Sequence, residues 1–174
     1  MAEPKRAALA LGGNVGEVAD SFAYALGRLA GSSEVRVLAR SRVYRTAPWG
    51  RPDQPDFLNM AALVETTLAA PALLETCMKI ERERGRVRGE RWGPRTLDID
   101  IVSYAQEAFA QAELTLPHPR AAERAFVLIP LMEIAPDLRL GLKTVAEWAA
   151  ECDASTVWLD EQATRHVSEA PLSG

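Results

Sequence analysis

The chain has 174 residues, 48% hydrophobic and 25% charged, with 20 Lys and Arg against 24 Asp and Glu for a formal net charge of −4. That balance suits a soluble globular domain with a substantial core and argues against wholesale binding to nucleic acid or to an anionic membrane surface. No run of about 18 apolar residues is available to cross a bilayer. Cys77 and Cys152, far apart and outside any CxxC pattern, suggest two reduced, packed thiols, so a cytoplasmic, monomeric protein with one domain over 1-174 is expected.

The opening "KRAALAL" (5–11) is too short an apolar run for a signal peptide and reads as a first strand ending in "GGNVG". That glycine turn looks like a phosphate cradle but lacks a P-loop lysine and dinucleotide-fingerprint spacing. "SFAYALGRLAG" sets Phe22, Leu26 and Leu29 on one helical face and stops at Gly31. "EVRVLARSRVYRTAP" reads as one long strand running into the loop that holds Pro48, Gly50 and Pro52. "FLNMAALVETTL" (57–68) is a strand with two mostly apolar faces, one of them bearing Phe57, Asn59, Ala61 and Leu63.

Pro71 opens a helix with Leu73, Leu74, Cys77, Met78 and Ile80 at helical spacing, and Gly85 stops it. A charged, glycine-containing loop follows to Pro94, then a strand from Leu97. Beyond come a short strand in "LTL", a proline-bounded turn and a helix around Phe126 to Ile134. Thr144 and Glu147 have capping-box spacing ahead of a final helix, and the last dozen residues read as frayed. The order is the ferredoxin-like βαββαβ pattern, giving an α+β fold with an antiparallel sheet, αβα layers and additional C-terminal helices.

Seven of the twenty basic residues, Lys79, Arg82, Arg84, Arg86, Arg88, Arg91 and Arg95, crowd positions 79 to 95. Directly after them "LDIDIV" places Asp98 and Asp100 on one strand face and Leu97, Ile99 and Ile101 on the other. Two carboxylates about 6–7 Å apart repel unless a cation lies between them. Mg²⁺ fits because it takes one or two carboxylates and completes its shell with water and phosphate oxygens. The alternative is an exposed edge strand with two solvated aspartates. Arginine forks match phosphates bidentately, although a solvated loop of Glu–Arg pairs has the same composition. Trp92 either stacks on a planar ligand or anchors the loop. Asn59 either reads a ligand or is a satisfied core amide. His118, pinned in "LPHPR" with Arg120 and Arg124 following, is either structural or a donor near phosphate. The residues alone point to Mg²⁺-dependent phosphoryl-type transfer from a nucleotide to a planar acceptor.

Five ordered blocks, "LALGGNVG", "SRVYRTAPWG", "QPDFLNMAALVETTL", "IERERGRVRGERWGPRTLDIDIV" and "LTLPHPRAAERAFVLIPLMEIAP", resemble the 6-hydroxymethyl-7,8-dihydropterin pyrophosphokinase family of folate biosynthesis over about 8-138; residues 140-174 lie beyond the likeness. The resemblance implies pyrophosphate transfer from ATP to the pterin hydroxymethyl group with release of AMP. It implies two Mg²⁺ ions held by Asp98 and Asp100. ATP would be bound by Glu81, Arg86, Arg88, Arg91, Trp92, Arg95, Ile101, Thr115, His118 and Arg124, with Arg86 and Arg95 catalytic beside the aspartates. The pterin would contact Gly12, Thr46, Ala47, Trp49, Phe57, Asn59, Trp92 and Phe126. Asp98 is also a candidate to accept the hydroxyl proton or orient that oxygen. The chain departs from the family at Gly13 (usually serine), Phe57 (frequently tyrosine), Trp49 (usually smaller) and Glu113 (arginine in some members), and its arginine loop is one residue short. Two rival readings are a non-catalytic ferredoxin-like nucleotide-binding module and a D-x-D nucleotidyltransferase.

Overall fold

Alternating apolar residues over Lys5–Gly13 form β1. The computed structural model describes residues 2–48, 53–85 and 95–172. Its further elements are α1 (Val18–Ala30), β2 (Val35–Arg40), β3 (Tyr44–Thr46), β4 (Phe57–Thr66), α2 (Ala70–Glu83), β5 (Asp98–Tyr104), β6 (Phe109–Ala110), β7 (Thr115–Leu116), α3 (Ala125–Ile134), β8 (Arg139–Leu140), β9 (Lys143–Thr144), α4 (Val145–Glu151), β10 (Val157–Leu159) and α5 (Glu161–Glu169).

The main sheet runs β10-β3-β4-β1-β5, with β2 also paired to β4, and the pairings are antiparallel. This is the ferredoxin-like order: the first strand lies between the third and last of the βαββαβ unit, and the second lies outside the third. On one face Leu9, Leu11, Met60, Val64, Ile99 and Ile101 meet Phe22, Leu26 and Leu29 of α1 and Leu73, Cys77 and Ile80 of α2. On the other, small residues at Ala8 and Ala61, with Val102, let α3 approach through Val127, Leu128 and Leu131, and α4 adds Val145. The expected αβα layering follows from these two apolar faces. No helix among the described residues is long and apolar enough to cross a membrane.

Local chemistry explains most boundaries. Pro71 sits in the first turn of α2, where its missing N–H matters least. Thr144 and Glu147 form a reciprocal capping box on α4.

Two expectations are corrected. The stretch 35–46 is two strands: Arg40 pairs with Ala62 but Tyr44 with Asn59, so β4 advances three residues while its partner advances four. Ser41 bridges the misfit, its N–H donating to Ala61 O and its Oγ accepting from Ala61 N–H at 2.8 Å. The second concerns the stretch expected to be frayed: it holds most of helix α5, Glu161–Glu169, which joins the expected C-terminal helices. The added elements after β5 include short hairpins and β10, and α4 is not the last helix. Asp160 caps α5 by accepting the Ala163 N–H at 2.9 Å, and Ala163 and Val167 bury themselves in the α1-side core.

Leu9 lies in central strand β1 with 0% exposure, so Leu9→Ala should destabilise the fold by about 2–5 kcal/mol through lost burial and a residual cavity. A melt of the variant should show a drop of roughly 5–15 °C. Leu142→Ala, at a position 88% exposed, should leave Tm nearly unchanged.

Candidate active site

Edge strand β5 resolves how an apolar strand carries two aspartates. Leu97, Ile99 and Ile101 face the α1/α2 core, while Asp98 and Asp100 face the opposite side, where the Asp98 side chain is 30% exposed and Asp100 is exposed. The amide between them is held from outside the sheet: Glu81 of α2, itself buried, accepts the Ile99 N–H at 2.9 Å. A carboxylate thus substitutes for a strand partner and fixes the segment that aims both aspartates.

Strand register then lines the site up across the sheet. Asp98 is opposite Gly12, Gly12 is opposite Asn59, and Phe57 is opposite Thr46. Asn59 is buried, and its Nδ2 donates to Thr46 Oγ1 at 3.2 Å. A Cβ built on Gly12 would lie 3.3 Å from Asn59 Oδ1, so the missing side chain leaves the floor bare between the amide and the carboxylate pair. At Gly13 a Cβ would come within 2.8 Å of the Thr96 carbonyl oxygen, so the serine common in the resembling family has no room on this backbone. Ala47 is exposed immediately after Thr46.

Cations and a histidine frame the aspartates. Arg95 Nε is 3.6 Å from Asp98 Oδ2. The Arg124 guanidinium lies 5.6 Å from the centroid of the Phe126 ring; burial lowers its pKa, and Asp100 and Asp98 work in the opposite direction. A cleft of about 230 Å³ is lined by Asp100, Ile101, Glu113, Thr115 and His118, among others. His118 Nδ1 accepts the Arg120 N–H at 3.2 Å, which leaves the neutral ring's proton on Nε2. Burial lowers the His118 pKa below 6.5, with Arg124 and Arg120 adding to burial and Asp100 opposing it.

Asn14 is the functional candidate that sequence reading missed. It is buried, and its Nδ2 donates to Gln54 Oε1 at 3.1 Å and to Pro55 O at 3.2 Å, while its Oδ1 accepts the Arg95 N–H at 2.9 Å. It ties the end of β1 to both the chain entering β4 and the chain carrying Arg95. The only available signal was an amide side chain in "GGNVG". The N–H groups of Asn14 and Val15 in that turn donate to the Arg95 carbonyl at 2.8 and 3.1 Å, in line with its lack of a P-loop lysine. Trp49, Arg86, Arg88, Arg91 and Trp92 lie outside the described residues.

A ferredoxin-like sheet with paired carboxylates on the face opposite α1 and α2, arginines beside them and a cleft alongside defines a group-transferring enzyme for a polyphosphate substrate. Known proteins agree. The family model for 7,8-dihydro-6-hydroxymethylpterin-pyrophosphokinase matches residues 8–136. The 2-amino-4-hydroxy-6-hydroxymethyldihydropteridine pyrophosphokinase of Methylorubrum extorquens is 49% identical over 152 residues, covering 87% of this chain and 96% of its own length. The enzyme of the same name from Synechocystis sp. is 43% identical over 155 residues, covering 87% and 78%. A crystal structure of Plasmodium falciparum HPPK-DHPS with pteroate has a TM-score of 0.69 at 13% identity; the likeness covers 87% of this chain but only 43% of that one, and supports the fold alone. The chain belongs to the 7,8-dihydro-6-hydroxymethylpterin-pyrophosphokinase family. Its reaction is transfer of pyrophosphate from ATP to hydroxymethyldihydropterin in folate biosynthesis, which sets aside both the non-catalytic module and the nucleotidyltransferase.

Titration of His118 by NMR is expected to give a midpoint below 6.5. The unfolded chain then takes up this proton first, so the stability linked to His118 is complete above about pH 6.5 and falls as pH drops toward the folded-state pKa. A midpoint at or above 6.5 would mean that Asp100 outweighs burial and the neighbouring arginines.

Proposed function

We propose that the transfer requires Mg²⁺, with Asp98 and Asp100 as protein ligands of two ions, ATP in the cleft beside Asp100 and His118, and the pterin on the row formed by Gly12, Asn59, Thr46, Phe57 and Phe126. The observation that carries this reading is the register of Asp98, Gly12 and Asn59 on three adjacent strands, which sets a recognition amide and a carboxylate pair on one face. The donor set suits Mg²⁺: two hard carboxylate oxygens, and among the described residues no group of three or more His, Cys, Asp or Glu side chains that could form a protein-only cage. When bound, the metal supplies charge neutralisation to the phosphates.

The chain's own residues supply position and charge. Asn59, oriented by Thr46, hydrogen-bonds the polar edge of the pterin, and Phe57 and Phe126 pack on its ring. Arg95 and Arg124 stabilise negative charge on the phosphates, and the desolvation of Arg124 strengthens that interaction. His118, neutral with a proton on Nε2, donates to a phosphate oxygen. Ile101 and Thr115 line the cleft beside the nucleotide. Glu81 acts through Ile99 by holding the strand. The hydroxymethyl oxygen attacks the β-phosphorus, the bond from that phosphorus to the oxygen bridging the α-phosphate breaks so that AMP leaves, and the hydroxyl proton passes to water late in a loose transition state, so Asp98 need only orient the attacking oxygen.

AMP release with ATP, Mg²⁺ and 6-hydroxymethyl-7,8-dihydropterin should depend on the pterin and disappear on chelation of the metal. Asp98→Ala and Asp100→Ala should each lower kcat by about 10³-fold or more with the fold retained, and Arg95→Ala by about 10²-fold. Near-normal turnover in either aspartate variant would sink the metal assignment. Gly12→Ala, whose Cβ crowds Asn59 Oδ1, should raise KM for the pterin about tenfold while KM for ATP stays within about twofold.

A further inference from the structure

Strand β3 is three residues long and ends at Thr46, whose hydroxyl holds the Asn59 amide. On its inner side β3 pairs with β4, and on its outer side, among the described residues, it pairs with β10, in the register Val157↔Thr46, Trp158↔Arg45, Leu159↔Tyr44. A strand this short, left at the edge of a sheet, has few hydrogen bonds to hold it in register.

The chain after β10 adds a second grip, on Arg45 of the same strand and on Val43 just before it. The Asp160 N–H donates to Val43 O at 2.9 Å, and the Val43 N–H donates to Thr164 Oγ1 at 2.8 Å. Asp160 uses both carboxylate oxygens: Oδ1 caps α5 through Ala163 N–H at 2.9 Å, and Oδ2 accepts from Arg45 Nη2 at 2.6 Å. Arg40 closes the far end, donating to the Val167 and Ser168 carbonyls at 3.1 and 2.9 Å. Val43, Ala163 and Val167 are buried in the α1-side core, so the grip is anchored in the protein's interior. All of β10 and α5 lies beyond residue 136, where the family match ends.

We infer that β10 and α5 form a positioning clamp on β3, which sets the Thr46 hydroxyl and through it the pterin-facing amide of Asn59. The inference rests on the proposed pterin pocket. The clamp touches neither substrate; it converts a three-residue edge strand into an interior one, and a shift of β3 displaces a polar contact to the pterin while leaving β5 and the nucleotide cleft in place. A weakened polar contact to the pterin raises KM for that substrate and leaves turnover of the bound complex unchanged.

The test is steady-state kinetics on the full chain, well below each variant's Tm, for Thr164→Val, Thr164→Ser, Asp160→Ala and Asn59→Ala. Thr164→Val keeps side-chain volume but removes the hydroxyl bracket, whereas Thr164→Ser restores it. KM for the pterin is expected to rise about tenfold in Thr164→Val and Asp160→Ala, with KM for ATP and kcat within about twofold, and to return to the wild-type value in Thr164→Ser. Asn59→Ala separates the two ideas. If it leaves pterin KM unchanged, the pocket reading fails. If it raises pterin KM while Thr164→Val and Asp160→Ala lower only Tm, or weaken both substrates equally, the clamp is overturned.

Discussion

Everything at the site depends on the antiparallel register of β5, β1 and β4. Because side chains alternate along a strand, a slip of one residue in β5 would turn Asp98 and Asp100 into the α1/α2 core and carry Ile99 and Ile101 to the surface. The same slip would break the line from Asp98 through Gly12 to Asn59. Burial of Leu9, Leu11, Ile99 and Ile101 on the far face therefore enforces the geometry of the near face. The stabilising half and the chemical half of the sheet are two sides of the same strands.

Electrostatics on the near face is set by competition between burial and charge. Arg124 and His118 both lose affinity for a proton through burial, and Asp100 opposes the loss in both. Arginine begins from a pKa so high that it stays charged, whereas histidine begins near 6.5 and is left neutral. The two residues, close in sequence, thereby have different roles beside one carboxylate: a permanent cation and a neutral hydrogen-bond donor. Cys77 behind β5 shows the core side of the same arrangement, its thiol pushed to about 12 by burial, with Glu81 and Asp100 adding to it.

Sequence legibility followed how local each constraint is. The face of α1 could be read from Phe22, Leu26 and Leu29, the α4 cap from Thr144 and Glu147, and the common face of the two aspartates from their spacing, because each is decided within a few residues. The break at Ser41 was hidden because β-branched residues continue on both sides, and the ladder is completed by a serine hydroxyl against a strand twenty residues away. Asn14 was hidden for the same reason, with partners 40 and 81 positions distant. Helix α5 has only Ala163 and Val167 as buried residues, too weak a stripe to stand out, although the capping Asp160 was a usable signal. Asn59 stood out from its place on the strand face with Phe57, and Thr46 from family likeness; their mutual hydrogen bond required the fold.

The decisive experiment is a crystal structure of the chain with Mg²⁺, a non-hydrolysable ATP analogue and 6-hydroxymethyl-7,8-dihydropterin. Metal density is expected between the phosphates and the Asp98 and Asp100 carboxylates, with the pterin lying over Gly12 and hydrogen-bonded to Asn59. A metal held elsewhere, or a pterin bound away from the Gly12–Asn59 row, would overturn both assignments.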